Sequence, residues 1–174
     1  MPHPLALANI ACLEQGIALL DGLTDAQYAE ASPLGGRIGG HLRHCLDHYG
    51  LLLDACGGPR VDYDARGRDP RVEADRSAAI GLAERLVERL RALEPHSVDD
   101  EILVRTDCGD GHRHLAVWTA STVARELQFM VSHTTHHFAL VALILRQRGL
   151  EPGPDFGVAP STLLHRRSLL GSDA

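Results

Sequence analysis

Apolar residues recur at helical spacing near the start of the chain, at Leu5, Ile10, Leu13, Ile17 and Leu20. They predict a first helix over residues 4–21, which "GLTD" ends. "ASPLGGRIGG", with two glycine pairs, reads as a loop opening a second helix over about 37–56, closed by "GGP". The apolar stripe of that helix is Ile38, Leu42, Leu46, Tyr49 and Leu53. "RVDYDARGRDP" is poor in apolar residues and predicts a surface loop. Asp69 and Pro70 then supply an N-cap and a first helical residue for a third helix running to about Leu93. "EILVRTD", "CGDG" and "HRHLAVWT" predict a β-hairpin around a glycine turn. Ser121 or Thr122 caps a long fourth helix that runs to Arg148 and stops at Gly149. In the tail, "LEPGPDFGVAPS" is expected to be an ordered loop and the last residues frayed. The pattern predicts one mainly all-α domain over residues 1–174. It is an up-down four-helix bundle over about 4–148 with a small β-hairpin before the last helix and an irregular tail over 149–174.

Composition narrows the function. A net charge of −6 argues against a nucleic-acid partner, which calls for clustered positive charge. All seventeen basic residues are arginine, and the absent lysine amine excludes Schiff-base enzymes and P-loop nucleotidases. Cys12, Cys45, Cys56 and Cys108 have no CxxC spacing and read as reduced thiols. The apolar start lacks a basic n-region, and Glu14 interrupts it, so it reads as an ordinary helix. No uninterrupted apolar run approaches the roughly 18 residues of a membrane span. A cytoplasmic protein with no membrane partner is expected.

Histidine is the unusual residue. Six of the eleven fall in two short segments, "HLRHCLDH" and "HTTHH". His133 and His137 are four residues apart and share a helix face, a spacing at which two imidazoles can grip one ion. The glutamate of an HExxH motif is absent, Thr134 standing in its place. "FALVALIL", which follows, is apolar all round and marks a helix buried on most sides. An imidazole turned inward there needs a partner, because an unsatisfied buried polar group costs about 1–3 kcal/mol. A metal, a carboxylate or a backbone carbonyl could supply it. His41, His44 and His48 line one side of the second helix, about 100° around from the apolar stripe. A solvated histidine face is the alternative for at least one of them. Two histidine faces on separate helices provide what a three-histidine site with an open position requires.

"RHCLDHY" on an early helix and "SHTTHHFAL" on the last resemble the DinB/YfiT-like superfamily of metal-binding four-helix bundles, over most of the chain. "VDYDARGRDPRVEADRSAA", "TVARELQFMVSHT" and "DFGVAPST" resemble an uncharacterised subgroup of it. The resemblance implies three ligands: His44, within "HCLD", and His133 and His137, the first and last histidines of H-x-x-H-H. His44 lies further from the apolar stripe than His41 or His48 does, so His48 is the second choice. His41, His136, Asp47 and Glu126 are expected to line the pocket or stand behind the ligands. The alternative for Glu126 is an exposed carboxylate near a helix N-terminus. The implied cofactor is one divalent ion, zinc first, with nickel, iron or manganese as options.

The implied activities are thiol-dependent transfer, with a small-molecule substrate such as a low-molecular-weight thiol, or hydrolysis. Such an ion can lower the pKa of bound water to about 7 or hold a thiol as thiolate. The competing readings are a non-catalytic metal-holding sensor or carrier, and a metal-free bundle whose histidines make only hydrogen bonds. Pairing of two copies through a helix face is the expected assembly. Arg66, Arg68 and Arg71 could clamp an anionic substrate, but alternation with Asp62, Asp64, Asp69 and Glu73 favours a solvated, self-paired segment. No base is placed for a catalytic Cys45 or Cys108.

Overall fold

The computed structural model describes residues 1–33 and 35–171. The expected fraying of the chain end concerns residues outside that range. The described elements run α1 (Pro4–Asp21), α2 (Asp25–Ala29), α3 (Ile38–Ala55) and β1 (Arg60–Asp62). They continue α4 (Pro70–Ala74), α5 (Arg76–Arg91), a 3-10 turn (Pro95–Asp99), β2 (Glu101–Arg105), β3 (Thr119–Thr122), α6 (Val123–Gln147) and α7 (Pro160–Gly171). The protein is a helical bundle with a small strand insertion.

α1, α3, α5 and α6 are the bundle helices. α1 and α3 each pack against both α5 and α6, so they face each other across the diagonal. The whole predicted stripe of α3 is buried, as are Leu127, Met130, Val141 and Leu145 of α6. A polar knot crosses the diagonal. Tyr49 donates to Asn9 Oδ1 at 2.8 Å and accepts from Thr134 Oγ1 at 3.3 Å. Asn9 in turn donates to the Leu5 and Leu127 carbonyls. All three side chains are fully buried, and each finds a partner within the knot, as burial demands. α1 is long and apolar enough to cross a membrane by length and composition alone, with a mean hydropathy of 1.2 over 18 residues. Here it lays Ile10, Leu13 and Leu20 into the bundle core.

The structure corrects the expected elements in four places. Asp75 breaks the third helix in two, because its side chain leaves α4 to cap α5 through the N–H groups of Ser77 and Ala78. The hairpin becomes a three-stranded sheet in the order β1-β2-β3. β1 pairs parallel with β2, and Glu101 lies opposite Thr122 across the antiparallel β2–β3 pair. Of "HRHLAVWT", only Thr119 enters β3, and Ala116 adds an isolated bridge to Asp107. α2 carries a reciprocal capping box between Thr24 and Gln27. Finally, the tail is not irregular throughout, since α7 begins at Pro160, a residue pre-set for a first helical turn. Before it, Phe156 stacks on Phe138 at 4.7 Å and ties the tail to α6. Gly157 permits that approach: it has φ +70°, and a Cβ there would lie 2.5 Å from the Ala139 nitrogen.

Candidate metal centre

α3 and α6 run antiparallel with their histidine flanks facing. His41 Nδ1 lies 3.0 Å from His137 Nδ1, and one turn along His44 Nε2 lies 3.1 Å from His133 Nε2. His48 completes the ladder, its ring 4.4 Å from that of His133 and 4.4 Å from that of His44. His44, His48 and His133 each offer a ligand atom within 4.8 Å of the others. His137 stands beside them, its ring 4.6 Å from His44 and 4.7 Å from His133. Five imidazoles thus gather in one place. His136 is exposed and meets the group only through an edge contact with His137.

Two aromatic walls enclose the cluster. Tyr63 stacks on His48 at 5.2 Å and Phe129 on His133 at 5.3 Å. Tyr63 donates its hydroxyl to Glu126 at 2.9 Å, and Ser121 donates to the other oxygen of that carboxylate at 2.6 Å. Glu126 is therefore buried and hydrogen-bonded, not the exposed helix-end carboxylate that its position also allowed. It supports the cluster through Tyr63. Asp47 is occupied elsewhere, accepting from Arg43 at 2.8 Å, while Arg43 also donates to Glu73. Of Arg66, Arg68 and Arg71, Arg71 pairs with Asp69 at the surface. Arg66 turns inward, against the expectation of a solvated segment, and donates from Nη1 to His48 Nε2 at 3.1 Å.

The electrostatics keep the rings neutral. Burial pushes His44 down to about 3, helped by His48, His137, His133 and Arg66. Burial likewise brings His48 to about 4 against the opposing bond to the His44 carbonyl, and His133 and His137 to about 4 beside their neighbouring imidazoles. His41 is lowered for the same first reason. Neutral imidazole is the ligand form, so burial prepares the donors.

The donor set fits a divalent transition ion. Two nitrogens bound at about 2.0–2.1 Å to a tetrahedral ion stand about 3.3–3.4 Å apart, close to both paired contacts. His48 Nδ1 is already fixed by the His44 carbonyl at 2.7 Å, which leaves Nε2, the atom that Arg66 reaches, as its acceptor. His133 Nδ1 is buried without a hydrogen-bond partner. No carboxylate is hydrogen-bonded to the five rings among the described residues. An all-imidazole set favours zinc, nickel, cobalt or iron over magnesium or calcium. The thiols offer no rival nucleophile inside the bundle, since burial raises Cys12 to about 11 and Cys45 to about 12.

Sequence reasoning missed both walls. Phe129 carried a signal, lying one turn before His133 on the same face. Tyr63 carried none, because a three-residue strand paired some forty positions away places it.

The family model for the DinB superfamily matches residues 13–141. FK506-binding protein 5 of Rhizopus delemar is 33% identical over 110 residues, which are 60% of this chain and 27% of that protein. The chain thus spans about a quarter of that relative's length. The crystal structure of a DinB-like protein from Bacillus cereus ATCC 10987 is similar in fold, with a TM-score of 0.52 and 17% identity. That likeness covers 82% of this chain and 89% of the other.

Proposed function

Since the chain belongs to the DinB superfamily, we propose that it is a metal-dependent enzyme, a thiol-dependent transferase or a hydrolase, working at the imidazole cluster between α3 and α6. Family membership and the histidine triad are compatible with a divalent ion. The observation that carries the reading is the convergence of His44, His48 and His133 within 4.8 Å, with His137 alongside, all depleted of protons by burial. His44 and His133 belong both to this group and to the ligand set that the family resemblance implies. His48 or His137 supplies the third nitrogen.

When bound, a divalent ion supplies a Lewis acid that makes water or a thiol nucleophilic near neutral pH. The chain's own residues do the rest. Tyr63 covers His48 and Phe129 covers His133, and Glu126 holds Tyr63 in place. The His44 carbonyl fixes the tautomer of His48. With no carboxylate hydrogen-bonded to the rings among the described residues, a bound ion would keep its full charge, which suits nucleophile activation better than a neutralised, purely structural site.

A metal-holding carrier would share this geometry and differ in turnover. Metal-loaded protein is assayed with pairs of a low-molecular-weight thiol and an electrophile, and with activated esters, beside His133→Ala. Turnover that His133→Ala abolishes while the circular-dichroism spectrum is kept supports the enzyme. Equal rates in parent and variant would leave only the carrier.

A further inference from the structure

The loop between β1 and α4 brings a cation into the histidine cluster. Among the described residues, Arg66 makes one hydrogen bond, from Nη1 to His48 Nε2, and its Nε is buried with no partner. Arg43, Arg71, Arg76, Arg89, Arg91, Arg105, Arg146 and Arg148 each pair with a carboxylate. Among the described residues, half-buried Arg66 has no carboxylate within ion-pair distance. The acids near it are engaged: Asp47 holds Arg43, and Asp64 accepts the Asp107 N–H. Nor is Arg66 on a slack loop. The Tyr63 N–H donates to the Arg105 carbonyl at 3.0 Å and the Ala65 N–H to the Asp62 carbonyl at 3.2 Å, so the sheet delivers the residue to this spot.

Asp64 and Asp47 lie close enough to act on the Arg66 charge but neither bonds it, and a divalent ion on neutral imidazoles beside it would raise the local positive charge further. The Nε is enclosed, whereas Nη2 is neither enclosed nor hydrogen-bonded among the described residues, so it is the atom that can meet a carboxylate oxygen. We infer that Arg66 is the anchor for an anionic ligand: a small molecule carrying a carboxylate beside the atom that meets the ion. This rests on the cluster being a metal centre. Arg66 positions and selects the ligand, while Arg71 is held at the surface by Asp69.

The test uses the full chain loaded with Co²⁺ under nitrogen, titrated with thioglycolate and with 2-mercaptoethanol, a thiol with and a thiol without a carboxylate. Binding is read from the cobalt–thiolate absorption in the parent, Arg66→Lys and Arg66→Met. The parent should prefer thioglycolate by about 10–100-fold over the preference left in Arg66→Met, the range of charge-assisted hydrogen bonds. Arg66→Lys should fall between, keeping the charge and losing the fork. Arg66→Met should hold cobalt at least as tightly as the parent, because it no longer covers His48 Nε2, and this also reports that the variant is folded. Cobalt uptake with the same preference in all three proteins overturns the role of Arg66 and leaves the metal centre standing. No cobalt uptake by folded parent overturns the metal centre, and this inference with it.

Discussion

Burial of the imidazoles should make metal binding unusually tolerant of acid. A metal competes with protons for each ligand, and a ligand of pKa about 6.5 loses a factor of roughly 11 in availability at pH 5.5. Three such ligands weaken an exposed site by about 1,000-fold between pH 7.5 and 5.5. Here His44 lies near 3 and His48, His133 and His137 near 4, all mainly through burial. At pH 5.5 a ligand of pKa about 4 is still roughly 97% unprotonated, so three together lose about 10%. The apparent Kd should therefore change by less than about twofold over that interval.

Equilibrium dialysis against fixed free zinc at the two pH values, with metal counted by mass spectrometry, measures this ratio without a pH-sensitive dye. Weakening of 100-fold or more would refute the reasoning, since it would mean that the rings hold ordinary protons and are open to water. Removing a wall supplies the control. In Tyr63→Ala, water reaches His48, its pKa should rise toward the ordinary value, and the affinity at pH 5.5 should fall relative to pH 7.5.

The same shifts predict how the metal-free protein unfolds in acid. The unfolded chain binds protons on these histidines from about pH 6.5 downward, while the folded chain does not until about pH 4. Stability should fall across that window and level off below it, with roughly three to four protons taken up on unfolding at pH 5, readable from urea midpoints. Tyr49→Phe deletes one hydroxyl between Asn9 and Thr134 and should cost about 2 kcal/mol, or about 4–8 °C in Tm with an unchanged m-value. A variant as stable as the parent would show that the knot contributes nothing. Gly39→Ala would drive a methyl into the Glu73 carbonyl oxygen and to 2.9 Å from the Tyr28 ring, where α3 meets α4. It should cost about 3 kcal/mol or more by chemical denaturation, at or above the usual cost of overpacking.

The two histidine faces were legible because helical period alone fixes which residues share a side of α3 and of α6. The period could not say which of His41, His44 and His48 would meet α6. The packing answer is all three, in an antiparallel ladder along the flank of the stripe. Short elements escaped for a different reason. β1 has three residues and a partner distant in sequence, so no local signal marks it, yet it places Tyr63 and Arg66. The alternating charges of that loop read correctly as self-pairing for Arg71 and Asp69. Which of several alternating arginines turns inward depends on backbone, including the left-handed Arg68 at φ 48°, and not on composition. Glu126 was suspected from its helix face, but its partner Tyr63 lies on another element.

The central claim is that these imidazoles hold an ion. The direct measurement is metal content by plasma mass spectrometry on untagged protein that has never met a nickel column, beside His44→Ala, His48→Ala, His133→Ala and His137→Ala. The account predicts about one ion per chain in the parent and its loss with His44→Ala and His133→Ala. Loss with His48→Ala but not His137→Ala assigns the third ligand to α3, and the reverse assigns it to α6. Folded parent protein that takes up no ion even after incubation with zinc would contradict the account, as would an ion kept in both His44→Ala and His133→Ala.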